Sequence, residues 1–452
     1  METTRVSEGG SVLLSFEAEN VRSFRDPVHL SLLATPLAEA NVPRSVHWRE
    51  GGGVLRVLPA ACILGANASG KSNVLRIMDD MRSHVLHSFR SGDPKGGVPR
   101  QPFRLDPSSS SEPSRFEVDL VLNGIRHRYG FSIDDERVLE EWAFHFPRGK
   151  ARLLFQRESD GSIDLGSVDR ATGRAMVKLL RPNALYLSTA GVANHPELTP
   201  LYEWFGRNLR LAEASSRSRR WALTTEMLAD PALHETVLAF LRVADLGVTQ
   251  ARVRELDPQV AERIRRAVRI LAGTEDQPDK EDLEPRDFIE LGVALSHKGL
   301  REDVEFDVGD ESLGTLVWLG LAGPVINALT EGSVFLADEL EASLHPNLVC
   351  HLVGLFQDPA TNPRRAQLIF NSHETSLLGH SVADRTLGRD QVWFTEKLRE
   401  GATRLYPLSD LNPRKGEAVG QRYLAGRYGA TPIIAREEFA DLAELISVGN
   451  AE

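Results

Sequence analysis

Hydrophobic and polar positions change their period several times along the chain, and each change predicts a different element. The opening segments LLSFEAENV and VHLSLLAT alternate in the β pattern on either side of the turn SFRDP. The continuous apolar run VLRVLPAACILG predicts a buried strand, and the spacing of SNVLRIMDDMRSHVLHSF predicts a helix soon after it. A stretch rich in Gly, Pro and Ser over about 91–115 then predicts a loop or linker.

The rest of the chain divides into a β part, a helical part and an alternating part. Strand-like runs around the turn Asn123-Gly124, a strong hairpin signal, predict an antiparallel element. From about 167 to 285 the spacing is helical, as in LYEWFGRNLRLAE and HETVLAFLRVA. A predicted strand pair follows, and strands then alternate with helices through SVFLADEL and AQLIF, which predicts a parallel α/β core.

Composition is that of a soluble globular protein. The 452 residues are 41% hydrophobic and 26% charged. The net charge of −11 argues against non-specific coating of nucleic acid, which depends on many basic contacts to phosphate. We find no apolar run long enough for a membrane span and no secretory signal, so we expect a cytoplasmic protein without a membrane partner. Cys62 and Cys350 lie in apolar runs and are expected to be buried reduced thiols, a disulfide being the alternative.

The segment GANASGKS, residues 65–72, fits every fixed position of the phosphate-loop pattern and has the strand before it and the helix after it. Its glycines allow backbone N–H groups to face phosphate oxygens. Lys71 would supply charge to the β and γ phosphates and Ser72 a ligand for Mg²⁺. We therefore assign ATP and Mg²⁺ as cofactors, GTP being the alternative nucleotide. The residues assigned to the nucleotide here are Gly65, Asn67, Ala68, Ser69, Gly70, Lys71, Ser72 and Asn73.

Two later strand ends carry polar residues typical of a phosphoryl-transfer site. Asp338 and Glu339 end the apolar strand SVFLA, and we assign Asp338 to the metal and Glu339 to the attacking water. His373 ends the next strand and is assigned to the γ-phosphate. The alternatives are a solvated strand end for the acids and a structural role for the histidine.

In this order the motifs resemble those of the ABC-type ATPases. The resemblance implies that Ser312 and Gly314 complete the ATP site of a second subunit, although SLGT departs from the usual Leu-Ser-Gly-Gly-Gln. An ordinary helix cap by Ser312 is compatible with that role. The resemblance also implies that residues 341–346 follow the dimer interface and that a glutamine, here Gln101, senses Mg²⁺ as a metal ligand.

The whole pattern predicts an α/β fold: a P-loop NTPase head of ABC type with an antiparallel β lobe and a helical insert. We expect the N-terminal half of the core at 1–90 and the linker and β lobe at 91–165. The helical insert is expected at 166–286 and the C-terminal half of the core at 287–452.

The segments ENVRSFRDP, LHP, NSHET and RYLAGRYGATPII further resemble the bacterial OLD-related, RloA-like ATPases. Many short members of that group are ATPase components of two-gene anti-phage or abortive-infection systems. The stretch after His373 is too short for their Toprim nuclease domain, so effector chemistry is expected on a partner. We expect a homodimeric or larger ATP-driven switch that controls a nuclease or toxin from an adjacent gene. The alternatives are a DNA repair or restriction ATPase and an ATP-bound scaffold holding a toxin.

Two basic runs lie in the predicted insert, at 207–220 and 263–269. They are compatible with contact to nucleic acid or an acidic partner, or with solvated helix faces. Trp204, Phe205 and Trp221 near the first run are expected in the core rather than as stacking platforms.

Overall fold

The computed structural model describes residues 10–38, 42–212, 217–254, 292–379, 386–414 and 416–432. The strands are β1 (Val12–Glu19), β2 (Val28–Ser31), β3 (Arg44–His47), β4 (Val54–Val57), β5 (Ala60–Gly65), β6 (Ser114–Leu122), β7 (Ile125–Ile133), β8 (Val138–His145), β9 (Arg152–Arg157), β10 (Ile163–Asp164), β11 (Leu209–Ala212), β12 (Val248–Val253), β13 (Val293–His297), β14 (Val304–Asp307), β15 (Val334–Ala337), β16 (Gln367–Asn371), β17 (Val392–Lys397) and β18 (Thr403–Pro407). The helices are α1 (Lys71–His87), α2 (Arg170–Val177), α3 (Tyr186–Val192), α4 (Thr199–Asn208), α5 (Arg217–Ala229), α6 (His234–Arg242), α7 (Leu313–Glu331), α8 (Pro346–Gln357) and α9 (Val419–Leu424).

A six-stranded sheet forms the centre of the fold, in the order β11-β15-β16-β5-β17-β18. Neighbours from β11 to β17 pair in parallel, and β18 is antiparallel to β17. Every residue of β5 is buried, as expected for a parallel strand that is covered on both faces. Because β5, β15 and β16 are parallel neighbours, the polar residues that follow them meet at one edge of the sheet. The parallel α/β core predicted from the sequence is confirmed.

A seven-stranded antiparallel sheet forms the β lobe, in the order β10-β9-β8-β7-β6-β1-β2. Asn123 and Gly124 join β6 to β7 with φ values of 51° and 76°, as a tight hairpin turn requires. The expected strand–turn–strand opening forms β1 and β2, and β1 also pairs with β6. The lobe is therefore built from chain on both sides of the phosphate loop.

The two faces of the central sheet belong to different hydrophobic cores. Ala61 and Ile63 pack with the β lobe and α1, whereas Cys62 and Leu64 pack with α7 and α8. This alternation follows from strand geometry. Both cysteines are free; Cys62 is buried, and Cys350 is only partly buried rather than fully buried as expected.

The prediction of one continuous strand through VLRVLPAACILG is wrong. The chain forms β4, which pairs with β3, and then β5, which pairs with β16 and β17. Pro59 separates them because it has no N–H to contribute to a strand ladder. Its carbonyl accepts a hydrogen bond of 2.9 Å from the Leu368 N–H.

The prediction of a helix through LYEWFGRNLRLAE is wrong in its second half. Helix α4 ends at Asn208, and the next four residues form β11, parallel to β15. Leu209 and Ala212 are buried in this strand. Backbone pairing and burial outweigh the helical spacing of the sequence. The region predicted as a helical insert therefore supplies an edge strand of the central sheet.

Helix α7 corrects the expectation that no segment has the length and apolar character of a membrane span. By those two criteria it qualifies, and 61% of its most apolar window is buried inside the protein.

In the chain before α7, β12, β13 and β14 form a three-stranded antiparallel sheet, which contains the strand pair predicted there.

Candidate functional site

The phosphate loop joins the end of β5 to the start of α1, in the predicted order of strand, loop and helix. Gly70 has a φ of 101° and Ala68 a φ of 58°, so the chain turns tightly. A Cβ on Gly65 would lie 2.4 Å from Thr395 Oγ1, and one on Gly70 would lie 2.2 Å from Thr403 Oγ1. Close contact with the β17–β18 hairpin therefore requires both glycines. The loop leads into the N-terminus of α1, and helix N-termini bind anions through their first N–H groups.

Lys71 is 7% exposed and lies against its own loop. Its Nζ donates hydrogen bonds of 3.0 Å to the carbonyls of Gly65 and Ala66. Burial lowers the pKa of Lys71, while the nearby carboxylates of Glu341, Glu339 and Asp338 raise it. These acids favour the charged ammonium group that phosphate binding requires.

Asn371, the last residue of β16, connects the phosphate loop to the acidic pair. Its Nδ2 donates to Asp338 Oδ1 and lies 3.3 Å from Ser72 Oγ. Its Oδ1 accepts from the backbone N–H of Glu339, which has a left-handed φ of 52°. The sequence analysis gave Asn371 no role, although its position at a strand end beside His373 was a signal of one.

His373 lies close to Lys71 and to a further acid, Glu341. Its backbone N–H donates to Glu341 Oε1. Burial lowers the pKa of His373, and Lys71 lowers it further, while Glu341 and Glu339 raise it. The neutral imidazole that this favours can donate one hydrogen bond and accept another. Glu341 is thus a second residue of the site to which the sequence analysis gave no role there.

One cavity of about 810 Å³ brings most of the predicted residues together. Such a volume suits a nucleotide-sized ligand. Gln101 lines it, and the Gln101 carbonyl accepts a hydrogen bond of 2.6 Å from the Arg22 N–H. Asp338 is 7% exposed and is not one of the lining residues, although its hydrogen-bond partner Asn371 is. The predicted residues in the wall are Asn67, Ala68, Gly70, Lys71, Ser72, Asn73, Gln101, Glu339 and His373.

A network of hydroxyl groups holds the phosphate loop from behind. Ser69 Oγ lies 2.7 Å from Thr395 Oγ1, and Thr403 Oγ1 donates to the Ser69 carbonyl at 3.0 Å. Ser23 Oγ lies 2.8 Å from Thr403 Oγ1, to which it can donate, and it accepts a hydrogen bond of 2.8 Å from Asn73 Nδ2. Ser69 therefore faces this support rather than the cavity. The network joins the N-terminal turn, the loop and the β17–β18 hairpin.

Ser312 and Gly314 lie at the start of α7, outside that cavity wall. Ser312 Oγ accepts a hydrogen bond of 3.1 Å from the Thr315 N–H, so it caps the helix. A Cβ on Gly314 would lie 2.9 Å from the carbonyl oxygen of Ser343. The start of α7 is thus in contact with the segment that follows Glu339, and Leu313 between the two residues is 46% exposed.

The oxygen donors at the loop fit Mg²⁺. Ser72 Oγ and the Asp338 carboxylate are both held by the Asn371 amide, and oxygen ligands are those that Mg²⁺ prefers. Across the described ranges, no group of three or more His, Cys, Asp and Glu residues is arranged to hold a metal. An Mg²⁺ ion here would complete its shell with water and phosphate oxygens, as it usually does.

Of the basic runs, 263–269 lies outside the described residues. In the first run Arg207 forms an exposed ion pair with Glu203 at 3.5 Å, and Arg210 lies on β11. Trp204, Phe205 and Trp221 are buried, which confirms their expected place in the core.

Comparison with known proteins gives one family match. The family AAA_21, described as "AAA domain, putative AbiEii toxin, Type IV TA system", matches residues 60–379. A search of curated proteins gave no match. The matched region begins with β5 and ends just after His373, so it contains both strand ends of the site.

Solved structures of SMC head domains are distantly similar. An SMC head domain from Thermotoga maritima has a TM-score of 0.37 and 13% identity, and the alignment covers 87% of this chain and 98% of that one. An SmcHead bound to the C-winged helix domain of ScpA has a TM-score of 0.36 and 12% identity, with coverages of 88% and 99%.

The predicted P-loop NTPase fold with an antiparallel β lobe is confirmed by the sheets described above and by the family match. The match covers well over half of the chain and includes the loop, the acidic pair and Asn371. The chain therefore belongs to the AAA_21 family of AAA-type ATPases.

Proposed function

We propose that this protein is an ATP-hydrolysing conformational switch that acts as a dimer. The observation that carries the proposal is the Asn371 side chain, which joins Ser72 of the phosphate loop to Asp338 and Glu339. In phosphoryl-transfer sites a loop hydroxyl and a strand-end acid hold Mg²⁺, and a further residue orients water. Here these three groups are connected by one amide although they come from separate parts of the chain.

The roles follow from the positions in the cavity. Lys71 and the N–H groups of the loop bind the phosphates. Ser72 and Asp338 would hold Mg²⁺, and Gln101, which lines the same cavity as Ser72, would be a further ligand. Glu339 orients a water molecule towards the γ-phosphorus, and His373 contacts a γ-phosphate oxygen. The bond between the γ-phosphorus and the β–γ bridging oxygen breaks as the water oxygen bonds to the γ-phosphorus. The products are ADP and phosphate.

The site needs a second copy of the chain. Ser312 and Gly314 do not line the cavity in their own chain, and the exposed Leu313 between them faces outward. We place them on the γ-phosphate bound by the second copy. Each chain has one phosphate loop and one such motif, so two chains form two sites.

We further propose that closure controls a partner effector in anti-phage defence. The family description names a toxin of a toxin–antitoxin system, and the OLD-type segments of the sequence agree with such a role. A toxin or nuclease encoded beside this gene should co-purify with the wild type. The association should change with ATP, and it should no longer respond to ATP in Lys71→Ala.

The central test compares Glu339→Gln with Lys71→Ala. Mass in solution and phosphate release are measured with and without ATP and Mg²⁺. Glu339→Gln should form a stable dimer with ATP. It should hydrolyse ATP at least ~100-fold more slowly than the wild type. Lys71→Ala should stay monomeric, and Glu331→Gln, an exposed control at the end of α7, should match the wild type. A wild type that remains monomeric with ATP, or normal turnover in Glu339→Gln, would contradict the proposal.

A nucleic-acid-processing ATPase is the second candidate, and one cavity favours it. Among the residues that the structure describes, this cavity of about 330 Å³ is lined by Arg82, Arg210 and Arg220 and by one acid, Asp79. Arginine clusters suit phosphate groups. DNA should then stimulate ATP hydrolysis, and Arg210→Gln should remove the stimulation, whereas Arg207→Gln should keep it. Equal turnover with and without DNA rejects this candidate.

A further inference from the structure

Helices α5 and α7 approach each other unusually closely. A Cβ on Gly323 of α7 would lie 2.6 Å from the backbone nitrogen of Thr224, and one on Gly320 would lie 3.0 Å from the indole of Trp221. A side chain at Gly323 would push the helices apart, and one at Gly320 would require the Trp221 ring to move. The glycines therefore allow α5 to lie directly on the backbone of α7.

The Thr224 hydroxyl contacts both members of one turn of α7. It accepts a hydrogen bond of 2.9 Å from the Gly323 N–H and lies 3.0 Å from the Leu319 carbonyl, to which it can donate. These two backbone groups are four residues apart, so they are partners in the helical ladder. A hydroxyl inserted at such a pair is a recognised cause of local helix distortion. Thr224 is 1% exposed, so water cannot substitute for it.

The contact lies where α7 is weakest. Pro324 is inside the helix and has no N–H, so the Gly320 carbonyl lacks its helical donor. The half of α7 before this point is also held by Trp318, whose Nε1 donates to the Phe240 carbonyl of α6 at 2.9 Å. The Trp318 and Phe240 rings stack with centroids 4.5 Å apart. The first half of α7 is therefore held by hydrogen bonds and packing from both α5 and α6.

We propose that Thr224 is a positioning residue for closure of the ATP dimer. By holding α5 against the Leu319–Gly323 turn, it fixes the direction of the first half of α7. That half begins with Ser312 and Gly314. Their approach to the ATP of the second copy therefore depends on how α5 packs against α7. The inference rests on the proposed two-chain site and adds the part of the chain that regulates it.

In this arrangement, α5 and α6 are the helices through which closure of the dimer is regulated. A partner that displaces α5 would tilt the start of α7 and weaken closure without touching the phosphate loop. Among the described residues, none from α5 or α6 lines the ATP cavity of the same chain. Binding of ATP to one chain and closure of two chains are therefore separable properties.

The experiment compares three variants of neighbouring positions in the full chain. Thr224→Val removes the hydroxyl at nearly constant volume, and Thr224→Ser keeps it. The matched control is Thr225→Val, because Thr225 is also buried but its hydroxyl donates to Trp221 of its own helix, at 2.9 Å. The measurements are ATP affinity of the monomer, the dimerisation constant with ATP and Mg²⁺, and turnover.

Thr224→Val should bind ATP as the wild type does, dimerise at least tenfold more weakly and turn over at least tenfold more slowly. Thr224→Ser should restore both, and Thr225→Val should change neither by more than about twofold. Combined with Ser312→Ala, Thr224→Val should add little, because both act through the same contact. If Thr224→Val does not fold, Thr224→Ala takes its place, since it removes the hydroxyl without the branched methyl group.

Two results would overturn the inference. One is equal dimerisation by Thr224→Val and Thr225→Val; the other is full additivity with Ser312→Ala. A wild type that binds ATP but never dimerises would instead reject the proposed function, so the two failures are distinct.

Discussion

The Asn371 amide nitrogen lies 3.3 Å from Ser72 Oγ, although the two residues are 299 positions apart in the chain. The same amide holds the strand-end acids Asp338 and Glu339. It therefore sets the distance between the phosphate loop and the residues proposed for hydrolysis.

Replacing Asn371 by Ala should weaken Mg²⁺ binding in the presence of ATP by about 10- to 100-fold, the usual effect of removing a residue that orients metal ligands. The change removes the donor to Asp338 and the acceptor for the Glu339 N–H. Titration of ATP hydrolysis with Mg²⁺ measures the effect. Asn347→Ala, an exposed change on α8, is the control. An unchanged Mg²⁺ requirement in Asn371→Ala would show that the amide does not organise the metal site.

Replacing Gly70 by Ala should abolish ATP binding. The new Cβ would lie 2.2 Å from Thr403 Oγ1, and the loop would have to move away from the Thr403 hydroxyl that supports it at Ser69. An alanine at position 70 would also have to keep a left-handed φ of 101°, and this backbone strain costs about 1–2 kcal/mol of stability.

Gly124→Ala separates strain from crowding in that experiment. Gly124 has a φ of 76° but nothing within 4 Å of the added Cβ. It should lose stability to a similar strain and keep ATP binding, which equilibrium binding with a fluorescent ATP analogue measures. Loss of binding in both variants would assign the effect to strain alone.

Replacing Glu141 by Gln should lower the free energy of unfolding by about 1–3 kcal/mol. The buried carboxylate accepts from the Tyr186 and Leu187 N–H groups at the start of α3 and from the Tyr129 hydroxyl. A glutamine offers one oxygen to these three donors. Urea unfolding measures the loss, with the adjacent exposed Glu140→Gln as control. Equal stability of the two variants would show that α3 does not need this cap.

Stability should fall as the pH is lowered from about 6.5 towards 4 because of His84. Burial against Phe116 and Phe131 lowers the pKa of His84 to about 4, although Asp80 opposes this. The unfolded chain therefore takes up a proton in this window that the folded protein does not, and the balance shifts towards unfolding. His84→Leu should show a smaller loss over the same window. Parallel losses in wild type and variant would exclude His84 as the cause.

The parts of the site that sequence reasoning reached are those encoded by a few consecutive residues. The loop from Gly65 to Ser72 and the acids after β15 have patterns that local chemistry restricts. Gln101 was placed by resemblance, and it lines the same cavity as the loop. Its role as a metal ligand stays a prediction.

What the sequence analysis missed depends on partners far away in the chain. Asn371 acquires its role from Ser72 of α1 and from Asp338 and Glu339, which follow β15, and its sequence neighbours do not identify these distant partners. Leu209–Ala212 has helical spacing, but the free edge of β15 makes it a strand. For Leu209–Ala212, pairing with β15 decides between helix and strand, which local preferences leave close in energy. For Asn371, contacts with residues distant in sequence decide its role.

The order of strands in the central sheet has a consequence for synthesis of the protein. Strand β5 leaves the ribosome before its neighbours β16 and β17, which follow about 300 residues later; this takes about 15–60 s at the usual rates of translation. During that interval the apolar segment AACILG has no strand to pair with. A nascent chain of this protein therefore needs protection of that segment, and chaperones that bind extended apolar peptides should associate with it until residue 397 has emerged.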